Sequence, residues 1–187
     1  MRGLYLAVSS ILALAAPPTF AASWQVDTGK SHLSFTGMQT GTPFHGSFGK
    51  WGAEIDFDPA HPEAGHVSVA IDLASATTGD TQRDSALPQA DWFDVKKFPQ
   101  ATFEATGFTA KGGDAYETSG KLTIRGVGKD VTLPFTLTVT DDKATSKGHL
   151  SLIRTAFGIG QGAWSTGQWV ALDVGIDVEL TATKIGG

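Results

Sequence analysis

The stretch Val131–Val139, VTLPFTLTV, decides how this chain is read. Val131, Leu133, Phe135, Leu137 and Val139 share one side of an extended strand, and Thr132, Thr136 and Thr138 share the other. Successive strand residues point to opposite faces, so one face of this segment is dry and the other wet. The closing segment repeats the pattern, with Val170, Leu172, Val174, Ile176, Val178 and Leu180 alternating with Asp173, Asp177, Glu179 and Thr181. Shorter versions occur at Leu33 and Phe35, at Ile55 and Phe57, from Val67 to Leu73, from Ala101 to Ala105, and at Leu122 and Ile124. With Lys143 to Ile153 added, about eight strands are expected.

The links between them read as hairpin turns: Asp58-Pro59 with Pro62, KGGD at 111–114, RGVG at 125–128, and Asp141-Asp142. None is long enough for the crossover that parallel strands need, so neighbours in sequence pair antiparallel. The exception is Ala74 to Pro99, where alternation stops. There Thr78 or Asp80 is an N-cap candidate, a short helix follows, and Pro88 limits it. An all-β domain interrupted by one short helical insert follows. Periodicity does not choose between a closed barrel and a sandwich, but long strands with short links favour the barrel, whose closure removes exposed edges.

The chain has 187 residues and 19.6 kDa, with 14 basic and 19 acidic side chains and no cysteine. That is one domain of ordinary size. The acidic balance, with no basic run, gives no attraction for a phosphate backbone, so nucleic acid is not an expected partner. Without cysteine there is no disulfide, iron-sulfur cluster, thiolate zinc site or cysteine nucleophile. The 23 glycines and 11 phenylalanines lean toward β structure with glycine-bearing turns.

At the N-terminus Arg2 precedes the apolar run Leu4–Ala16, then Pro17-Pro18 and the small-residue site Thr19-Phe20-Ala21. This is the layout of a secretory signal peptide, and the run is shorter than the roughly 20 residues that span a bilayer. The expected organisation is a signal peptide over 1–21, cleaved after Ala21, and one domain over 22–187. An uncleaved N-terminal anchor is the alternative.

The five histidines are scattered, with no HExxH and no pair spaced i, i+2, so no metal site is expected. There is no GxSxG elbow and no phosphate-binding loop. The glycines of FGIGQG at 157–162 lead toward a strand rather than a helix, and read as a tight bend or a close backbone approach. Arg83 and Asp84 are adjacent on the helical insert, so each reaches a different partner. Arg83 either clamps the insert onto a turn or meets a ligand's phosphate or carbonyl, and Arg154 carries the same two readings. Trp92, Phe93 and Phe98 cluster near the insert, with Phe103, Phe108, Phe135, Phe157 and Trp164 on or beside strands. These are either ordinary core or the lining of an apolar tunnel with the insert as its lid. Each buried methylene of a lipid is worth roughly 0.8 kcal/mol, so such a tunnel holds a long hydrocarbon without catalytic groups.

Several ordered motifs resemble the YceI family: Thr78-Gly79, Arg83-Asp84 and Leu87, then DWFDV at 91–95 and Lys97-Phe98-Pro99 with Ala101 and Phe103. The likeness continues through GKLTIRG at 120–126, Ile153-Arg154-Thr155 and FGIG at 157–160 to the last strand, covering Ser23 to Thr183. The resemblance implies an eight-stranded antiparallel lipocalin-like barrel, exported to the periplasm, with an elongated apolar cavity for polyisoprenoid lipids such as isoprenoid quinones or polyprenyl phosphates. It further implies no catalytic residue, no covalent cofactor, a homodimer, and a membrane donor or acceptor protein as partner. Two departures stand out. Ala86 replaces a histidine common in the family, and Ala156 removes the carboxylate of its Arg-x-Asp-Phe-Gly motif.

The sequence therefore reads as a periplasmic protein for binding, transport or storage of a long-chain isoprenoid lipid, and not as an enzyme. Phe93, Phe103, Phe135, Phe157 and Trp164 are the expected tunnel contacts, with Arg83 and Arg154 near the entrance or head group. The alternative is a redox accessory protein exchanging quinone with a cytochrome b561-type membrane protein.

Overall fold

The computed structural model describes residues 22–185. The expected export segment, 1–21, lies outside the described residues. Twelve strand segments form: β1 (Ser23–Val26), β2 (His32–Gln39), β3 (Thr42–Phe48), β4 (Trp51–Asp56), β5 (His66–Asp72), β6 (Ala76–Thr77), β7 (Gln100–Thr106), β8 (Thr109–Gly112), β9 (Ala115–Ile124), β10 (Val127–Thr140), β11 (Lys143–Ile153) and β12 (Asp173–Ile185).

They assemble as eight antiparallel staves. β1 and β2 run end to end along β12, with Val26 opposite Ala182 and His32 opposite Glu179. β3 and β4 lie end to end against β2 and β1, and β7 and β8 against β9. β5 and β6 flank β4 and β3, while β9 to β12 are unbroken. The β1–β12 pairing closes the ring, so the expected eight-stranded antiparallel lipocalin-like barrel is the observed fold and the sandwich is not.

Turn chemistry sets the register. Thr40-Gly41 and Arg125-Gly126 each place both residues at positive φ (48° and 79°, 53° and 75°), the two-residue turn whose twist matches its flanking strands. The helical insert carries α1 (Thr81–Ala86), where the Asp80 carboxylate accepts from the Arg83 N–H at 2.9 Å. Asp80 is thus the cap, and the helix stops before Pro88 as expected.

The last strand differs from the sequence reading. Alternation reaches back to Val170, yet β12 begins at Asp173. The carbonyls of Val170 and Ala171, which a strand would offer to its neighbour, accept instead from the Arg154 side chain at 2.7 and 2.9 Å. Residues 154–172 therefore form a long loop over one barrel end, facing the insert.

Val131, Leu133, Phe135 and Leu137 of β10 point inward as expected, but each is only half-buried. The same holds for Val174, Ile176, Val178 and Leu180 of β12. Their remaining exposure is to an internal space. Outward faces carry pairs such as Lys147–Glu179 (3.0 Å) and His149–Asp177 (2.7 Å), so the apolar face is the inner one.

Candidate functional site

The barrel encloses a cavity of about 570 Å³, within the roughly 300–1,000 Å³ of small-molecule pockets. One end is closed by aromatic rings. Phe135 stacks on Tyr116 with centroids 5.8 Å apart and meets Phe108 edge-on at 6.0 Å. Phe57 stands edge-on to Phe108 at 5.1 Å, and its carbonyl accepts from the Trp24 indole N–H at 2.9 Å. The Trp24 N–H is thus occupied and Tyr116 is not part of the cavity lining, so this end offers a ligand apolar surface.

The wall near the other end is built from cross-strand pairs of an aromatic residue and a glycine. Phe35 is opposite Gly46, and Gly37 is opposite Phe44, across the β2–β3 hairpin. A Cβ at Gly46 would overlap the Phe35 ring, and one at Gly37 would lie 2.5 Å from Phe44 Cζ. Each ring, itself part of the cavity lining, sets its tip over the glycine of the partner strand, in space that a side chain there would fill. Phe135 also stands opposite a glycine, Gly148, deeper in the barrel, but there a Cβ would meet Leu133 Cδ1 and the Phe135 Cβ while the Phe135 ring turns to Tyr116.

The opening lies between this hairpin and α1. Gln39, Phe44, Thr78, Asp80 and Arg83 border it together with the exposed Gln82. The Arg83 guanidinium stands 4.9 Å over the Phe44 ring, donates from Nε to Thr78 Oγ1 and from Nη1 to Gln39 Oε1, both at 3.2 Å, and faces Asp80 at 3.8 Å. It is about a third exposed, with Nη protons left over. Asp84 turns the other way and accepts from the Thr77 hydroxyl and from the Thr78 hydroxyl and N–H, each at 2.7 Å. Those hydroxyls hold its carboxyl below the usual range. The expectation of separate partners holds only in part: Gln39 belongs to Arg83 and Thr77 to Asp84, but the Thr78 hydroxyl serves both, accepting from Arg83 and donating to Asp84.

Arg154 is different. It is 3% exposed, and all its N–H groups face backbone carbonyls: Nε to Ala171, Nη1 to Ile159 and Gly160, Nη2 to Trp164 and Val170. Gly160 sits where a Cβ would overlap this guanidinium, and its φ of 81° suits glycine. Burial lowers the Arg154 pKa from its ordinary value. The head-group reading of Arg154 is corrected accordingly: no donor is free for a ligand, and the residue ties the 154–172 loop over the barrel.

All seven residues singled out in the sequence border the same cavity, at different levels. Phe135 is at the closed end and Phe103 on the middle of the wall. Phe93 and Phe157, 7% and 2% exposed, lie under the insert and the loop. Trp164 packs on Trp92 at 5.6 Å, which also lies beneath Arg154. Arg83 is at the mouth. Sequence reasoning missed Phe35, Phe44, Gln39 and the two glycines, and also Arg125, which donates to the Ala90 and Trp92 carbonyls and pins the insert. The histidines lie outside the cavity lining.

The model of the YceI-like domain matches residues 24–182. The chain belongs to the YceI family. A UPF0312 protein from Pseudomonas savastanoi pv. phaseolicola is 30% identical over 173 residues, 88% of this chain and 90% of its own. Among solved structures, BcnA of Burkholderia cenocepacia superposes with a TM-score of 0.82 at 38% identity, covering 85% of this chain and all of BcnA. A polyisoprenoid-binding domain from Saccharophagus degradans shares the fold, with a TM-score of 0.72 at 17% identity over 88% of this chain and 99% of that domain. The YceI assignment covers every stave of the barrel and both elements that cap its open end.

Proposed function

We propose that this protein binds a long-chain isoprenoid lipid in its barrel and transports or stores it in the periplasm, after removal of residues 1–21 as a signal peptide. The observation that carries the reading is the cavity itself: an apolar lumen of about 570 Å³ whose one charged residue with free donors, Arg83, stands at the mouth. The chain would lie along the lumen, and its head group, quinone or polyprenyl phosphate, would meet Arg83 and Gln39. Ten buried carbons give roughly 8 kcal/mol of gross transfer energy, enough for micromolar affinity before ordering costs.

No group transfer is part of this reading. The polar side chains in the deep lumen are hydroxyls, Thr118 donating to the Gly107 carbonyl at 2.9 Å and Ser146, which form no acid-base pair. The likeness to a polyisoprenoid-binding domain supports the same reading through the shared fold.

The test is equilibrium uptake of three probes delivered from cyclodextrin: squalene, ubiquinone-10 and undecaprenyl phosphate. All three should bind one per barrel. Arg83→Gln should weaken the two head-group-bearing probes about tenfold, the scale of one charge-assisted hydrogen bond, and leave squalene unchanged. A folded protein that takes up none of the three overturns the proposal.

A further inference from the structure

Among the described residues six large apolar side chains are conspicuously exposed, and three of them gather at one place: Trp169 (50%), Met38 (45%) and Ile153 (43%). The backbone brings them together. The Trp169 carbonyl accepts from the Thr40 N–H at 2.9 Å, the Met38 carbonyl accepts from the Ala171 N–H at 2.8 Å, and Ile153 pairs with Asp173. Trp169 therefore opens the 169–173 segment, with Met38 and Ile153 beside it on the neighbouring strands. Their chain neighbours Gly37, Gln39, Leu152, Arg154 and Val170 line the cavity, so alternation turns Met38, Ile153 and Trp169 to the outside of the same wall. Pro43, exposed and opposite Met38, extends the strip.

The strip adjoins the mouth. Gln39 bridges Val170 on one side and accepts from Arg83 on the other, so one residue separates the outer rim from the opening. We propose that this rim is a membrane-docking surface, with Trp169, Met38 and Ile153 entering the headgroup layer so that the mouth opens onto lipid. The purpose rests on the isoprenoid-carrier reading: a chain passing from bilayer to lumen would otherwise cross water, at roughly 0.8 kcal/mol for each methylene exposed.

The chemistry of the strip favours a lipid surface over a second protein. Tryptophan, with an apolar ring and one polar N–H, is enriched at the membrane-water boundary, and a few such anchors give shallow, reversible binding. A stable protein interface needs about 20–30 residues a side, whereas this strip has four apolar side chains beside the charged Asp173. The formal charge of −5 gives no pull toward anionic headgroups, so the surface fits a neutral, zwitterionic bilayer and its binding should not fall with salt.

The experiment compares residues 22–187, which hold the whole closed barrel, with the variant Met38→Ser/Ile153→Ser/Trp169→Ser. Both are floated with phosphatidylcholine vesicles, and both are timed as they extract ubiquinone-10 from those vesicles. The substitutions are outward and exposed, so uptake from cyclodextrin should stay one per barrel in both proteins. Wild type should float at low and high salt, and the variant should not. Extraction from vesicles should slow by at least about tenfold, the effect of losing three interfacial anchors. Equal flotation or equal extraction rates overturn the proposal. So does a concentration-dependent dimer that the triple variant abolishes, since the strip would then face a second copy. If neither protein takes up ubiquinone-10 from cyclodextrin, the carrier reading fails instead, and flotation alone still decides whether the rim meets lipid.

Discussion

Gly46→Val puts a β-branched side chain where Cβ alone would overlap the Phe35 ring. Phe35 and its neighbour Phe48, 5.3 Å away, both line the cavity, so the displaced ring moves further into the lumen. In a filled core such overpacking costs about 1–3 kcal/mol, and an adjacent empty lumen should keep the cost near 1 kcal/mol. Binding should suffer far more. A phenyl ring in the lumen excludes roughly four to six ligand carbons, worth about 3–5 kcal/mol, or about two to three and a half orders of magnitude in affinity. Titration with squalene from cyclodextrin reads the affinity, and thermal unfolding reads the stability. The swap Phe35→Gly/Gly46→Phe, which returns the ring to the wall from the other strand, should recover affinity to within about tenfold, allowing for imperfect repacking. A folded Gly46→Val that binds squalene like wild type would refute the idea that these glycines set the bore.

Arg154→Met should unfold the 154–172 loop, because five backbone carbonyls lose their donors. The expected loss is about 3–5 kcal/mol, read as a fall in Tm of roughly 10 °C, and Arg154→Lys should recover little because an ammonium cannot reproduce the fork. Phe135→Ala should weaken isoprenoid retention by removing the stacked closed end, and unchanged affinity in a folded variant would take that end out of the binding site. Asp84 has a depressed pKa in the folded state, so its stabilisation is complete above the unfolded carboxylate range and is lost as pH falls through the folded value. The Tm gap between wild type and Asp84→Asn should therefore be widest near neutrality and close below about pH 4, and a gap that persists in acid would contradict the assigned cause.

Much of the barrel was legible because its signal is local. VTLPFTLTV carries a strict period of two, and a strand with one dry face needs no distant information to be recognised. The insert was legible for the opposite reason, as a break in that period with an N-cap and Pro88. The start of β12 was not, since Val170 and Leu172 keep the alternation while the carbonyls of Val170 and Ala171 are captured by the side chain of Arg154, sixteen residues before Val170 in the chain. A side chain that replaces a ladder partner leaves no trace in hydrophobic patterning. The same long-range event decided between the two readings of Arg154.

The glycine-aromatic wall did leave a trace. Phe35 and Gly37 precede the Thr40-Gly41 turn, and Phe44 and Gly46 follow it, so an F-x-G pattern stands on both sides of a two-residue hairpin. Once that turn is recognised, each ring must fall opposite a glycine. The turn was the missing step, because threonine at positive φ is not an expected turn residue. Gln39 and the outward rim were invisible without the pairing of the 154–172 loop to β2, which no periodicity announces.

The central claim is that the lumen holds an isoprenoid in the cell. Native mass spectrometry of the protein purified from its own cells, followed by organic extraction and identification of the released lipid, tests it most directly. The account predicts a mass increment of one isoprenoid per barrel on a chain beginning at Ala22, with a quinone or phosphate head group on the extracted lipid. An empty barrel that also refuses added isoprenoids, or a stoichiometric ligand without an isoprenoid chain, would contradict it.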